Sequence, residues 1–148
     1  MKFEEIKFSS AVYKLSLKLR NRILREPLGL SLTTLDMNDE ISQRHFGIFG
    51  DGNQLIGCVV VQNQPDPKCA KLRQMAIDLC YQRRGFGSFL LKETESWCHV
   101  QGIENLIVHA RETAINFYSN MGFRVSSNIF IDVTIPHVKM TKAIGVVR

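Results

Sequence analysis

Long hydrophobic runs are missing from these 148 residues. The longest aliphatic-rich stretch, Ile56 to Val61, falls far short of the ~20 apolar residues that cross a bilayer, so no membrane-spanning helix is expected. The first residues, Met-Lys-Phe-Glu-Glu-Ile-Lys, put acids where a secretory leader needs its apolar core, and a cytoplasmic location is the expectation. Paired cysteines are missing as well. Cys58, Cys69, Cys80 and Cys98 form no Cys-x-x-Cys unit, and His45, His99, His109 and His137 have no zinc-type spacing, so free thiols and no metal are expected. Repeats, low-complexity tracts and linkers are absent too. One domain over residues 1–148 is the expectation, with 45% hydrophobic and 22% charged residues, ordinary for a globular chain.

The formal charge of +5 comes from Lys and Arg scattered along the whole chain. No aromatic-studded strand or clustered basic stripe accompanies it, which argues against a nucleic-acid partner. The densest basic run, Lys14, Lys18, Arg20, Arg22 and Arg25, reads as a solvated helix face.

Residues 2 to 8 alternate loosely as a first strand, and Ser9 or Ser10 can cap a helix over 11–25 that Pro27 and Gly29 end. Tyr13, Leu15, Leu17 and Leu19 alternate like a strand there, while Val12, Leu15, Leu19 and Ile23 fit one helical face, and length without a breaker favours the helix. Residues 28–42 look irregular. Phe46 to Phe49 and Gln54 to Gln62 flank Gly50-Asp51-Gly52-Asn53, a hairpin signal. Met75, Ile77 and Leu79 alternate within a strand from Leu72 to Leu79. Leu72 is out of phase by one residue, which places a β-bulge near Arg73–Gln74 and leaves backbone groups there for a ligand. From Phe86 the period becomes helical, with Phe86, Phe89, Leu90, Trp97 and Cys98 on one face, as far as about Gly102. Asn105 to Ala110 reads as a buried strand, and Ala114, Phe117, Tyr118 and Met121 share the face of a short helix capped by Gly122. Residues 122–125, 129–133 and 137–141 finish as strands. The order predicts an α/β or α+β domain with a mixed sheet.

The chemistry concentrates where the strand meets the long helix, at Gln82-Arg83-Arg84-Gly85-Phe86-Gly87-Ser88. A helix start carries unpaired N–H groups and partial positive charge, so it suits phosphate, and two glycines let backbone approach an anion closely. Gly-Lys-Ser/Thr is absent, which excludes a P-loop, and Leu90 stands where a dinucleotide fingerprint needs its third glycine. The loop matches Gln/Arg-x-x-Gly-x-Gly/Ala in full.

That loop resembles the pyrophosphate loop of the GCN5-related N-acetyltransferase (GNAT) superfamily, which grips coenzyme A. The strand Leu72 to Leu79 and the run Ala114-x-x-Phe117-Tyr118-x-x-x-Gly122-Phe123 extend the resemblance over most of the chain. It implies acetyl transfer from acetyl-CoA to a small-molecule or peptide amine, with no metal, and it leaves a homodimer open. Met75, Ala76, Ile77, Gln82, Arg83, Arg84, Gly85, Phe86, Gly87, Ser88, Ala114, Phe117 and Tyr118 are then the expected cosubstrate-binding residues. Tyr118 would protonate the departing thiolate. The resemblance is incomplete in two places: a common Asn seven residues before the tyrosine is Arg111 here, and the strand has no evident glutamate base. Candidates for the base are His137, Asp132, His109 and His45, with His137 first because Pro136 sets its backbone approach. The acceptor pocket is expected from residues 20–45 and 128–138. An acyl-CoA-binding sensor without catalysis is the alternative.

Overall fold

The computed structural model describes residues 1–145. Two compact units emerge, Met1–Gln62 with Gln74–Thr94, and Asn63–Arg73 with the chain from Glu95 onward.

In the first unit, β1 (Lys2–Ile6), β2 (Arg44–Phe49) and β3 (Leu55–Asn63) pair antiparallel in that order, and the end of β4 (Cys69–Ile77) follows β3. Helix α1 (Ala11–Leu24) starts where Ser10 accepts the Tyr13 amide at 3.1 Å, satisfying one of the amides a helix start leaves open. It packs Tyr13 and Leu19 against Ile6, Phe49, Cys58 and Ala76. Gly57 of β3 lies against the end of β4. A Cβ there would come within 2.5 Å of Ile77 Cδ1 and 3.1 Å of the Ala76 carbonyl, so only glycine allows the two strands this approach.

The helical face of α1 differs from the expectation. Leu15 is half exposed, while Ser16 and Arg20 are buried beside Tyr13 and Leu19. The basic run is not a solvated face as a whole either: Arg20 and Arg25 lie inside, because each has a carboxylate waiting for it.

In the second unit the start of β4 pairs parallel with β5 (Asn105–Arg111), from Cys69↔Asn105 to Leu72↔Val108. Antiparallel β8 (Ile135–Ala143) continues beyond β5, and both β6 (Arg124–Val125) and β7 (Phe130–Asp132) pair with β8. Parallel and antiparallel pairs together make the sheet mixed, as predicted. Helix α2 (Phe86–Val100) runs from the first unit into the second, and α3 (Ile115–Asn120) belongs to the second. Gly122 at φ +94° ends α3 in the left-handed conformation, and Phe123 donates its amide to the Tyr118 carbonyl at 3.0 Å. One turn escaped the sequence reading. β7 and β8 are joined by only Val133 and Thr134, at φ 49° and 67°, although β-branched residues oppose a left-handed backbone.

Candidate active site

The strand-to-helix junction is built within the first unit. The regular pairing of β4 with β5 stops at Leu72, and Gln74 then takes φ 49°, a left-handed irregularity at the place where the bulge was expected. After Ile77 the chain makes a single turn over Leu79–Tyr81, capped by the Asp78 carboxylate on the Cys80 amide at 3.1 Å. Arg83 at φ 62° and Gly85 at φ 85° then carry the loop into α2. The first intrahelical bond closes from the Phe89 amide to the Gly85 carbonyl, so the amides of Phe86, Gly87 and Ser88 stand at the helix mouth without intrahelical acceptors. Arg83 and Arg84 are exposed. Arg84 is held across the rings of Tyr81 and Phe86, 5.5 and 5.4 Å from their centroids, so its charge is placed rather than free-swinging. The Gln82 side chain turns back and donates to the Ile77 carbonyl at 3.0 Å, which makes it a brace of the loop. These donors and cations suit a diphosphate.

Beside this loop lies a cleft of about 600 Å³ lined by Arg22, Ile23 and Pro27 from the end of α1 and by Asp78, Leu79, Cys80 and Gln82. Arg22 and Asp78 bridge it with an ion pair at 2.8 Å. Behind the strand sits a buried polar network that the sequence reading missed. Arg20 forks onto both carboxylate oxygens of Glu40 and sends its Nε to Gln74 Oε1 at 2.8 Å. The Tyr13 hydroxyl donates to the same carboxylate at 2.7 Å. Burial first, then the bond to Glu40 and its charge, push the Tyr13 phenol up to about 12. Arg20 thereby ties α1 and the segment before β2 to the irregular residue of β4. Its signal in the sequence was a charged residue in phase with Tyr13 and Ser16, which helical periodicity alone assigns to the surface.

His45 belongs to that network. Its Nε2 donates to the Glu40 carbonyl at 2.8 Å, and its ring, 3% exposed, meets Tyr13 edge-on at 5.1 Å. Such a ring is a support of the core. The bend after α1 is held by Arg25, which reaches Asp36 at 3.0 Å.

The second unit holds the remaining candidates. Tyr118 packs edge-on against Phe117 and Phe123, with centroids 5.1 and 5.4 Å away. Burial pushes its phenol up to about 12, so it keeps its proton at neutral pH. Among the described residues its hydroxyl makes no hydrogen bond. Ala114 lies one turn earlier, in the single turn Glu112–Ala114 that precedes α3.

His137 is buried, and its Nδ1 stands 2.9 Å from the Ile135 carbonyl. A carbonyl only accepts, so in the neutral form of the ring Nδ1 carries the proton and the lone pair lies on Nε2, the atom a base needs. Phe130 lies between two imidazoles, stacked on His137 at 6.0 Å and edge-on to His109 at 5.1 Å. Burial, aided by Lys71, holds His109 below its ordinary value, while Asp132 pulls it back. Among the described residues no group of three or more His, Cys, Asp or Glu could hold a metal ion, and no helix is long and apolar enough to cross a membrane. Cys58 and Cys98 are buried thiols pushed up to about 12 by burial, unsuited to nucleophilic work.

The family profile of the acetyltransferase (GNAT) domain matches residues 31–144. YyaT of Bacillus subtilis, an uncharacterized protein, is 33% identical over 76 residues, 51% of either chain. The chain thus spans about half the length of the curated relatives it matches. Among solved structures, an acyl-CoA N-acyltransferase from Pseudomonas aeruginosa superposes with a TM-score of 0.79 at 15% identity, over 97% of this chain and 100% of that one. A GNAT family acetyltransferase from Elizabethkingia anophelis with acetyl-CoA bound gives 0.74 at 16% identity, over 96% of this chain and 97% of that one. The chain belongs to the GNAT acetyltransferase family, and its fold is the acyl-CoA N-acyltransferase fold.

Proposed function

We propose that this chain moves an acetyl group from acetyl-CoA to a primary amine by direct attack in a ternary complex. The observation that carries the reading is the mouth of α2, where three amides without helical acceptors and two exposed arginines follow directly on an irregular strand. In this reading the residues from Gln82 to Ser88 hold the diphosphate. Met75, Ala76 and Ile77 offer backbone groups to the pantetheine arm and acetyl group, with Ala114 and Phe117 along the thiol end.

The amine must lose a proton before its lone pair attacks the thioester carbon. His137 accepts that proton on Nε2, and His109, Asp132 and His45 rank below it. A β4 amide, of Ala76 or Ile77, donates to the oxyanion as it forms. When the carbon–sulfur bond breaks, Tyr118 gives its phenolic proton to the thiolate. Burial keeps the Tyr118 phenol neutral and protonated at neutral pH, so a proton is present for the thiolate as it forms.

Gly87→Val tests the cosubstrate half of this reading. It places a branched side chain in the first turn of α2, where the diphosphate must approach. Calorimetry on the folded variant should show acetyl-CoA affinity at least about tenfold weaker, or ~1.4 kcal/mol. Affinity equal to wild type removes the loop from the site. The transfer half is tested by following CoA thiol release with a panel of amines. Tight acetyl-CoA binding with no turnover of any amine would make the chain a sensor of acyl-CoA.

A further inference from the structure

Strand alternation sorts the second unit into two faces. Leu106, Val108, Val138 and Met140 are buried, and on their side of β8 Lys142 reaches Glu95 of α2 at 3.0 Å. The opposite face carries His109 and Arg111 of β5, with Lys139 and His137 set directly across on β8. Lys71 and Arg73 lie on the same side of neighbouring β4, where Lys71 stands opposite Ile107. This face is rich in positive charge. Arg73 acts on Lys71, while Lys71, His137 and Lys139 act on His109, and the Asp132 carboxylate opposes them at both. Lys71 is only partly exposed, and burial, reinforced by Arg73, weakens its hold on its proton. A cationic surface that resists its own charge gains most from a bound anion.

We infer that the acceptor is a compact amine bearing a carboxylate or phosphate, held by the Lys71–His109–Lys139 face with its amine toward His137. This rests on the acetyl-transfer reading above. The spacing favours a small molecule. His137 and Lys139 are two residues apart on one strand, about 7 Å, and each neighbouring strand adds about 5 Å. The long lysine side chains shorten that span further. Phe130, between the two imidazoles, supplies an apolar wall for the spacer of such a molecule. A polycationic acceptor would meet like charge here.

Matched pairs of acceptors test the inference: β-alanine against β-alaninamide, O-phosphoethanolamine against ethanolamine, and spermidine as the cationic member. The anionic member of each pair should be acetylated with at least about tenfold higher kcat/KM. Lys71→Gln with Lys139→Gln should reduce that ratio at least about fivefold, and Lys139→Glu should shift preference toward the neutral or cationic member. Equal or better turnover of neutral and cationic amines overturns the inference while leaving acetyl transfer intact. If no amine is acetylated, imidazole NMR decides separately. Shifts of the His109 and His137 resonances on adding O-phosphoethanolamine, but not ethanolamine, uphold the anion-binding face and sink the transfer reading. Absence of such shifts sinks the face.

Discussion

Arg20 and Glu40 are 1% exposed each, and they meet as a forked ion pair inside the first unit. Converting Glu40 to Gln keeps its shape and leaves the guanidinium buried against a neutral amide. Removing one partner of a buried pair costs about 3–5 kcal/mol, because the remaining charge is neither solvated nor compensated. In a domain of this size each kcal/mol lowers Tm by about 2–4 °C, so Glu40→Gln should melt roughly 6–20 °C early. Arg20→Met should fall in the same range, since it strands the carboxylate and deprives Gln74 of its donor. The double variant Arg20→Met/Glu40→Leu removes both charges, and Glu40→Leu alone, expected in the same range as Glu40→Gln, closes its cycle with Arg20→Met. The remaining cost of the double variant is the Tyr13 hydroxyl and the Gln74 oxygen left without their partners, about 1–3 kcal/mol each before relaxation. The double variant should therefore cost about 2–6 kcal/mol, well short of the roughly 6–10 kcal/mol of the two single losses together, a coupling of roughly 4 kcal/mol in the cycle. Urea denaturation at low temperature is the assay. Where a single variant does not fold, Arg20→Lys serves instead, keeping the charge and losing the fork, with an intermediate loss. Additive losses, or single variants within about 2 °C of wild type, would refute the reasoning, because they would mean the pair is solvated.

Tyr118→Phe keeps the ring packing and removes a hydroxyl that bonds no described residue, so Tm and acetyl-CoA affinity should hold while kcat falls at least about tenfold; unaltered kcat, with chemistry limiting, would make the ring structural. The Val133–Thr134 turn holds two β-branched residues at positive φ, at ~1–2 kcal/mol each, so Val133→Asn with Thr134→Gly should raise the urea midpoint. A lowered midpoint would show that the turn is not left-handed. Asp36 is raised by burial, but the bonds from Arg25 and Thr33 outweigh this and leave it below its ordinary 3.8. The unfolded chain then binds the proton more readily, so its contribution stands above pH ~3.8 and is lost as pH falls through the lower folded value. Unfolding free energies measured from pH 2 to 5 should fall less steeply with acid in Asp36→Asn than in wild type, and identical slopes would count against the Arg25 contact.

Local chemistry determined much of this protein. The period change at Phe86, the cap at Ser10 and the glycine after α3 depend on a few neighbouring residues, and a chain reports them directly. The Gly85-Phe86-Gly87 loop was legible for the same reason, since a helix mouth and a glycine turn are contiguous. Even the irregularity at Gln74 showed as a slipped phase at Leu72. Tertiary structure decided what depends on distant partners. Arg20 is interior only because Glu40, twenty residues later, meets it there, and Leu15 is displaced to the surface as the helix turns its polar stripe inward. The tight turn at Val133–Thr134 is set by the pairing of β7 with β8 against the preference of its own residues. The cationic face was likewise invisible in a dispersed charge of +5, because only parallel pairing of β4 with β5 and antiparallel pairing with β8 bring Lys71, His109 and Lys139 to one side.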